Sequence, residues 1–118
     1  MTRTRASAKQ AGTRFERLVA DYLAHTVDDR IDRRVKTGDT DKGDIAGVRY
    51  LGHRVVIECK DRARLDLPSW IAEAHLQAGH DDAALGVIVH KRHGRADPGE
   101  QWVTMTLADL AWMLREAG

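Results

Sequence analysis

The chain has a single cysteine, Cys59, so no disulfide can close within it. A lone thiol suits a reducing compartment such as the cytoplasm. No run approaches the ~18 consecutive apolar residues of a membrane-spanning helix, so no membrane partner is expected. No apolar stretch follows the basic opening Met1-Thr2-Arg3-Thr4-Arg5, and no secretory leader is expected either. There is no Walker motif, dinucleotide-binding fingerprint, internal repeat or long linker. The close histidine pairs, His75 with His80 and His90 with His93, lack cysteine partners and zinc-finger spacing. They are expected on the surface or against phosphates. Charge of one sign is lacking too, since 19 Lys and Arg nearly balance 18 Asp and Glu.

What is present describes one domain. The 118 residues, 42% hydrophobic and 31% charged, are enough for one ordinary core. The charges cluster. Arg3, Arg5, Lys9, Arg14 and Arg17 crowd the start, and Lys91, Arg92, His93 and Arg95 form a second basic group. Such patches can bind DNA phosphates despite a near-zero total, although solvated surface charge gives the same pattern. Acidic residues gather at Asp39, Asp41 and Asp44.

Residues 1–7 read as a flexible basic arm and 8–118 as the single domain. Ala11, Phe15, Leu18, Val19, Tyr22 and Leu23 predict an amphipathic helix over 8–25. A short strand over 32–37 and a polar loop over 39–43 follow. Residues 44–49 and 54–60 form a hairpin, and Leu67-Pro68-Ser69 opens a helix ending near Gly79. Leu85–His90 is a buried strand, and Trp102–Met105 is another. Thr106 caps a last helix carrying Leu107, Leu110, Ala111 and Leu114, with Asp109 as a capping-box acid. The order α-β-β-β-α-β-β-α predicts an α/β fold, a mixed sheet flanked by helices.

The chemistry concentrates in Asp44 and, further on, Glu58-Cys59-Lys60. Alternation puts Val56, Glu58 and Lys60 on one strand face and Val55, Ile57 and Cys59 on the other. A three-residue loop, Tyr50-Leu51-Gly52, would pair Arg49 with His53 and set Asp44 opposite Glu58. A two-residue turn would shift this register by one. Opposed carboxylates repel unless a cation lies between them, and Mg²⁺ accepts such a pair with phosphate and water completing its shell. The competing reading is two exposed strand acids with Lys60 as a salt-bridge partner. Cys59 reads as a buried structural thiol.

Asp44, Glu58 and Lys60 resemble the D…E-x-K signature of the PD-(D/E)XK nuclease superfamily, with Gly43 where the name has proline. Within it, residues 8–92 resemble the archaeal-type and phage Holliday junction resolvases. The likeness rests on a helix carrying Glu16, the polar loop Thr37–Lys42 leading to Asp44, a helix with Gln77, and a buried strand ending at Lys91. It implies a restriction-endonuclease-like three-layer core and Mg²⁺-dependent cleavage of four-way junctions, with Mn²⁺ as a substitute. The likeness also implies a bacterial, archaeal or phage-infected cell.

Asp44, Glu58 and the Cys59 carbonyl would hold the metal, with Glu16 helping to hold a second. Lys60 would orient water or offset phosphorane charge. Arg3, Arg5, Arg14, Arg17, Thr37, Lys42, Gln77, Lys91 and Arg92 would contact DNA. Two symmetric cuts call for a C2 homodimer, with an interface drawn from Trp70, Trp102, Trp112 or Leu114. Alternatives are a repair or restriction-type endonuclease of the superfamily, or a DNA-binding module that keeps the fold without catalysis.

Overall fold

The computed structural model describes residues 3–35 and 41–118. Helix α1 spans Arg5–Thr26 and buries Ala11, Phe15, Val19 and Ala20 along one stripe. It begins before the expected residue 8 because Thr4 is a good N-cap: its hydroxyl accepts the Ser7 N–H at 3.0 Å. Residues 5–7 of the expected arm are therefore helical, and Arg3 is held 3.1 Å from Asp61.

The remaining elements are β1 (Asp32–Arg33), β2 (Ile45–Ala46), β3 (Arg49–Tyr50), β4 (His53–Lys60), α2 (Leu67–His80), β5 (Leu85–His90), β6 (Trp102–Thr104) and α3 (Leu107–Ala117). The sheet order is β1-β2-β4-β5-β6, with β3 also paired to β4. Strands β4 and β5 are parallel from Val55 with Leu85 to Lys60 with His90, and α2 supplies the crossover that such a pair requires. The other pairings are antiparallel.

Alternation along β4 divides its residues between two helices. Val55, Ile57 and Cys59 join Phe15, Val19, Ile45, Val87 and Val89 in the core under α1. On the opposite face α2 packs Trp70 and Ala74 over Ile88. Glu58 and Lys60 share this second face and emerge where the parallel strands end. The sheet thus lies between two helical layers. Helix α3 packs on the β3–β4 hairpin, where Trp112 meets the rings of Tyr50 and His53 edge-on at 6.0 and 5.1 Å. Its Thr106 cap forms as expected, but the Asp109 carboxylate reaches His75 Nε2 at 2.9 Å. Leu107, Leu110 and Leu114 remain exposed, whereas Trp70 is core. Among the described residues no helix is long and apolar enough to cross a membrane.

The hairpin corrects the expected register at one end and keeps it at the other. Its turn has two residues, Leu51 and Gly52 (φ 49° and 83°), so Tyr50 pairs with His53 and Arg49 with Arg54. Positive φ at both central positions matches the twist of the flanking strands. Ile45 nevertheless pairs with Ile57. The difference is absorbed by a bulge: Gly47 and Val48 together face Val55, whose N–H reaches the Val48 carbonyl at 3.0 Å. Gly47 takes φ 87°, and a Cβ there would lie 2.9 Å from the Arg30 carbonyl oxygen. The single long strand expected over 44–49 is for this reason β2 and β3, and the bulge returns Asp44 to the side of Glu58.

Gly47→Ala should therefore destabilise the fold by about 1–3 kcal/mol, the usual cost of a strained backbone position. Urea denaturation would measure it; unchanged stability would contradict the bulge account.

Candidate active site

Asp44 immediately precedes β2 and is tied to β4 twice. Its N–H donates to the Ile57 carbonyl at 3.0 Å, and its Oδ2 accepts the Cys59 N–H at 2.8 Å. These bonds lock its carboxylate beside Glu58, which is only 3% exposed. Both residues line a cleft of about 1030 Å³. Glu16, Asp41 and Glu73 bring further carboxylates to it, while Arg3, Arg5, Lys9, Arg17, Arg33, Arg34 and Arg62 bring cations. The deepest acid is buried and most of the cations are exposed, so the cleft has an acidic floor and a basic rim.

Burial pushes the Glu58 carboxyl up to about 9; the charges of Asp44, Asp41 and Glu73 add to this, and Lys60 opposes it. Glu58 Oε1 is buried and has no hydrogen-bond partner among the described residues. A buried carboxyl crowded by like charge takes up either a proton or a cation. Among the described residues no three His, Cys, Asp or Glu side chains form a cluster that could hold a metal ion. What the floor of the cleft offers is the Asp44–Glu58 pair alone, two carboxylates whose mutual repulsion a proton or a cation would relieve. The competing picture of exposed strand acids does not hold for Glu58.

Lys60 reaches neither strand acid as its closest partner. Its Nζ donates to Glu73 Oε2 of α2 at 2.9 Å. Gln77 Nε2 donates to Glu73 Oε1 at 3.4 Å and to Asp41 Oδ2 at 3.0 Å, and Asp41 Oδ1 accepts the Gly43 N–H at 2.9 Å. One chain of polar contacts thus runs from Lys60 through α2 to the segment carrying Asp44. Gln77 is buried within it rather than presented to solvent. Glu73 and Asp41 were not singled out as site residues from the sequence. The four-residue spacing of Glu73 and Gln77, which stacks them on one helix face, was the available signal.

The other expected residues divide. Glu16 lines the cleft and accepts Arg33 Nε and a terminal guanidinium nitrogen at 3.3 and 3.2 Å. Cys59 packs toward the α1 core; burial, then the charges of Asp44 and Glu16, drives its thiol pKa up, so the thiol stays protonated. Arg3, Arg5 and Arg17 line the cleft, with Arg17 bridging Asp21 and Asp32 at 3.0 and 2.8 Å. Arg14 and Lys42 are exposed and do not line it. Lys91 lines a second groove, and Arg92 lies over Trp102. Thr37 lies outside the described residues. Of the paired histidines, His75, His80 and His93 lie on the surface as expected, His80 with its Nδ1 2.9 Å from the Asp41 carbonyl, whereas His90 is buried.

Comparison with known proteins finds no matching family model, curated protein or solved structure.

The raised Glu58 carboxyl makes a signed prediction about metal-free protein. It stays protonated in the fold above its ordinary value of 4.5. Its stabilising contribution is full below that value and is lost as pH rises through about 9. Urea denaturation in EDTA should show stability falling from about pH 5 to 9, and Glu58→Gln should flatten that fall. Equal slopes for the two proteins would show that Glu58 carries no such strain.

Proposed function

We propose that the protein is a Mg²⁺-dependent DNA endonuclease with a restriction-endonuclease-like fold, acting on four-way junctions as a Holliday junction resolvase. The observation that carries this reading is the Asp44–Glu58 pair, with Lys60 on the same strand, at the floor of a cleft rimmed by arginines. The mixed sheet flanked by helices and the strand-turn-strand between Asp44 and Glu58 support this reading.

Asp44, Glu58 and the Cys59 carbonyl are the groups that would hold Mg²⁺, and Glu16, which lines the same cleft, would help to hold a second. When bound, the metal polarises the scissile phosphate and acidifies a water. Asp44 is pre-set for its role by the Cys59 N–H, and Glu58 by its place in the central strand. Lys60, held by Glu73, presents an ammonium toward charge that develops on the phosphate. Arg3, Arg5, Arg17 and Arg62 grip flanking phosphates, which positions DNA without reading its sequence. Recognition should depend on branch shape more than on base sequence.

A junction needs two symmetric cuts, and a C2 homodimer provides two such clefts. The exposed Leu107, Leu110 and Leu114 of α3 offer apolar surface for it.

Cleavage should require Mg²⁺ or Mn²⁺ and stop in EDTA. Asp44→Asn and Glu58→Gln should abolish it while DNA binding persists, and Lys60→Ala should slow it about 10²-fold. A fully active Glu58→Gln protein rules the mechanism out.

Light scattering should show a dimer that binds junctions far more tightly than linear duplex, with affinity falling steeply as salt rises. A monomer that cuts linear duplex equally well would instead make this a general endonuclease of the repair or restriction type. Binding without any cleavage would make it a non-catalytic DNA module.

A further inference from the structure

Adjoining the acidic cleft at Arg62, which lines both, is a second groove of about 450 Å³. Arg62 and Leu65 line it from the β4–α2 connection, Lys91 and His93 from the segment after β5, and Trp102 from β6. Its two loop walls are tied together, since His93 Nε2 meets the Arg62 carbonyl at 2.9 Å. Its back is firm. His90 pairs with Trp102 across the strands and is 6% exposed. It is held by Thr104 Oγ1 at 2.8 Å and backed by the Trp70 ring at 5.8 Å. Buried His90 Nδ1 has no hydrogen-bond partner among the described residues.

Trp102 itself is 48% exposed, unusual for the largest apolar side chain on a short edge strand. The Arg92 guanidinium lies 4.5 Å from its ring centroid, fixing the indole while leaving much of it open. An exposed indole among cations has the chemistry of a stacking platform: the ring takes a base, and the cations take the phosphates on either side. A base inside a duplex is already stacked and cannot lie on an indole; an unpaired one can. Arg62 lines both this groove and the acidic cleft, so a strand crossing it runs from one to the other.

We propose that the Trp102 groove is a stacking site for an unpaired nucleobase of a DNA strand whose phosphates pass Arg62, Lys91 and His93. The link to cleavage rests on the nuclease reading; the site itself does not.

The test is anisotropy in EDTA with a labelled single-stranded oligonucleotide and a blunt duplex of equal length. Trp102→Ala should weaken single-strand binding about tenfold and leave duplex binding within about twofold, the scale of one lost base stack. Trp102→Phe should retain most of the single-strand affinity, and melting curves should match wild type. Equal losses on both probes, or no loss on either, overturn the proposal. So does Trp102→Ala turning a dimer into a monomer, which would assign the patch to a second copy. Trp102-dependent binding by a protein that never cleaves would leave the stacking site standing and remove the nuclease reading. Normal cleavage with binding indifferent to Trp102 would do the reverse.

Discussion

Glu58 lies in the middle of the sheet, almost without solvent, and Asp44 is bound to the same strand by two hydrogen bonds. Asp41 and Glu73 press on it from the loop and from α2, and Lys60 alone opposes them among its named neighbours. A fold selected only for stability would place an apolar residue there, because no bond from the described residues to Oε1 offsets the cost of burying a crowded carboxyl. The surroundings hold the pair in place nonetheless. Val55, Ile57 and Cys59 anchor the strand in the α1 core, and six successive parallel pairings fix it against β5. Stability is given up locally while rigidity around the site increases, the pattern expected where geometry serves chemistry.

The rest of the molecule reads as support for that arrangement. The Gly47–Val48 bulge restores the alignment that the two-residue turn would otherwise lose. The Lys60–Glu73–Gln77–Asp41 contacts couple α2 to the segment leading into Asp44. The Thr4 cap extends α1 backward, which brings Arg3 and Arg5 to the cleft rim and lets Arg3 reach Asp61. Negative charge inside and positive charge outside suit a polyanion bound through a cation.

Much of this was legible in the sequence. Apolar periodicity located α1, start and cap signals located α2 and α3, and alternation assigned Glu58 and Lys60 to the face away from Val55, Ile57 and Cys59. Thr106 was recognisable as a cap. The start of α1 was missed because apolar periodicity begins at Ala11, while the helix begins where Thr4 supplies a cap. The hairpin was misread because Leu51 at positive φ is a weak turn signal, and because a bulge leaves no mark beyond one glycine. Arg33 and Arg34 were invisible as site residues, since each owes its place to tertiary packing of separate elements, and Glu73 was marked only by its four-residue spacing from Gln77. Arg14 is exposed on α1 but does not line the cleft. Gln77 was placed on the right helix, but its burial follows from contacts that no local pattern encodes.

The central claim is that the Asp44–Glu58 pair is a divalent-cation site. Titrating Mn²⁺ into the protein while following free Mn²⁺ by electron paramagnetic resonance tests it without any DNA or assumed substrate. The account predicts saturable binding that Mg²⁺ displaces and that Asp44→Asn and Glu58→Gln each remove from a still-folded protein. No saturable binding, or binding that both variants retain, would contradict it.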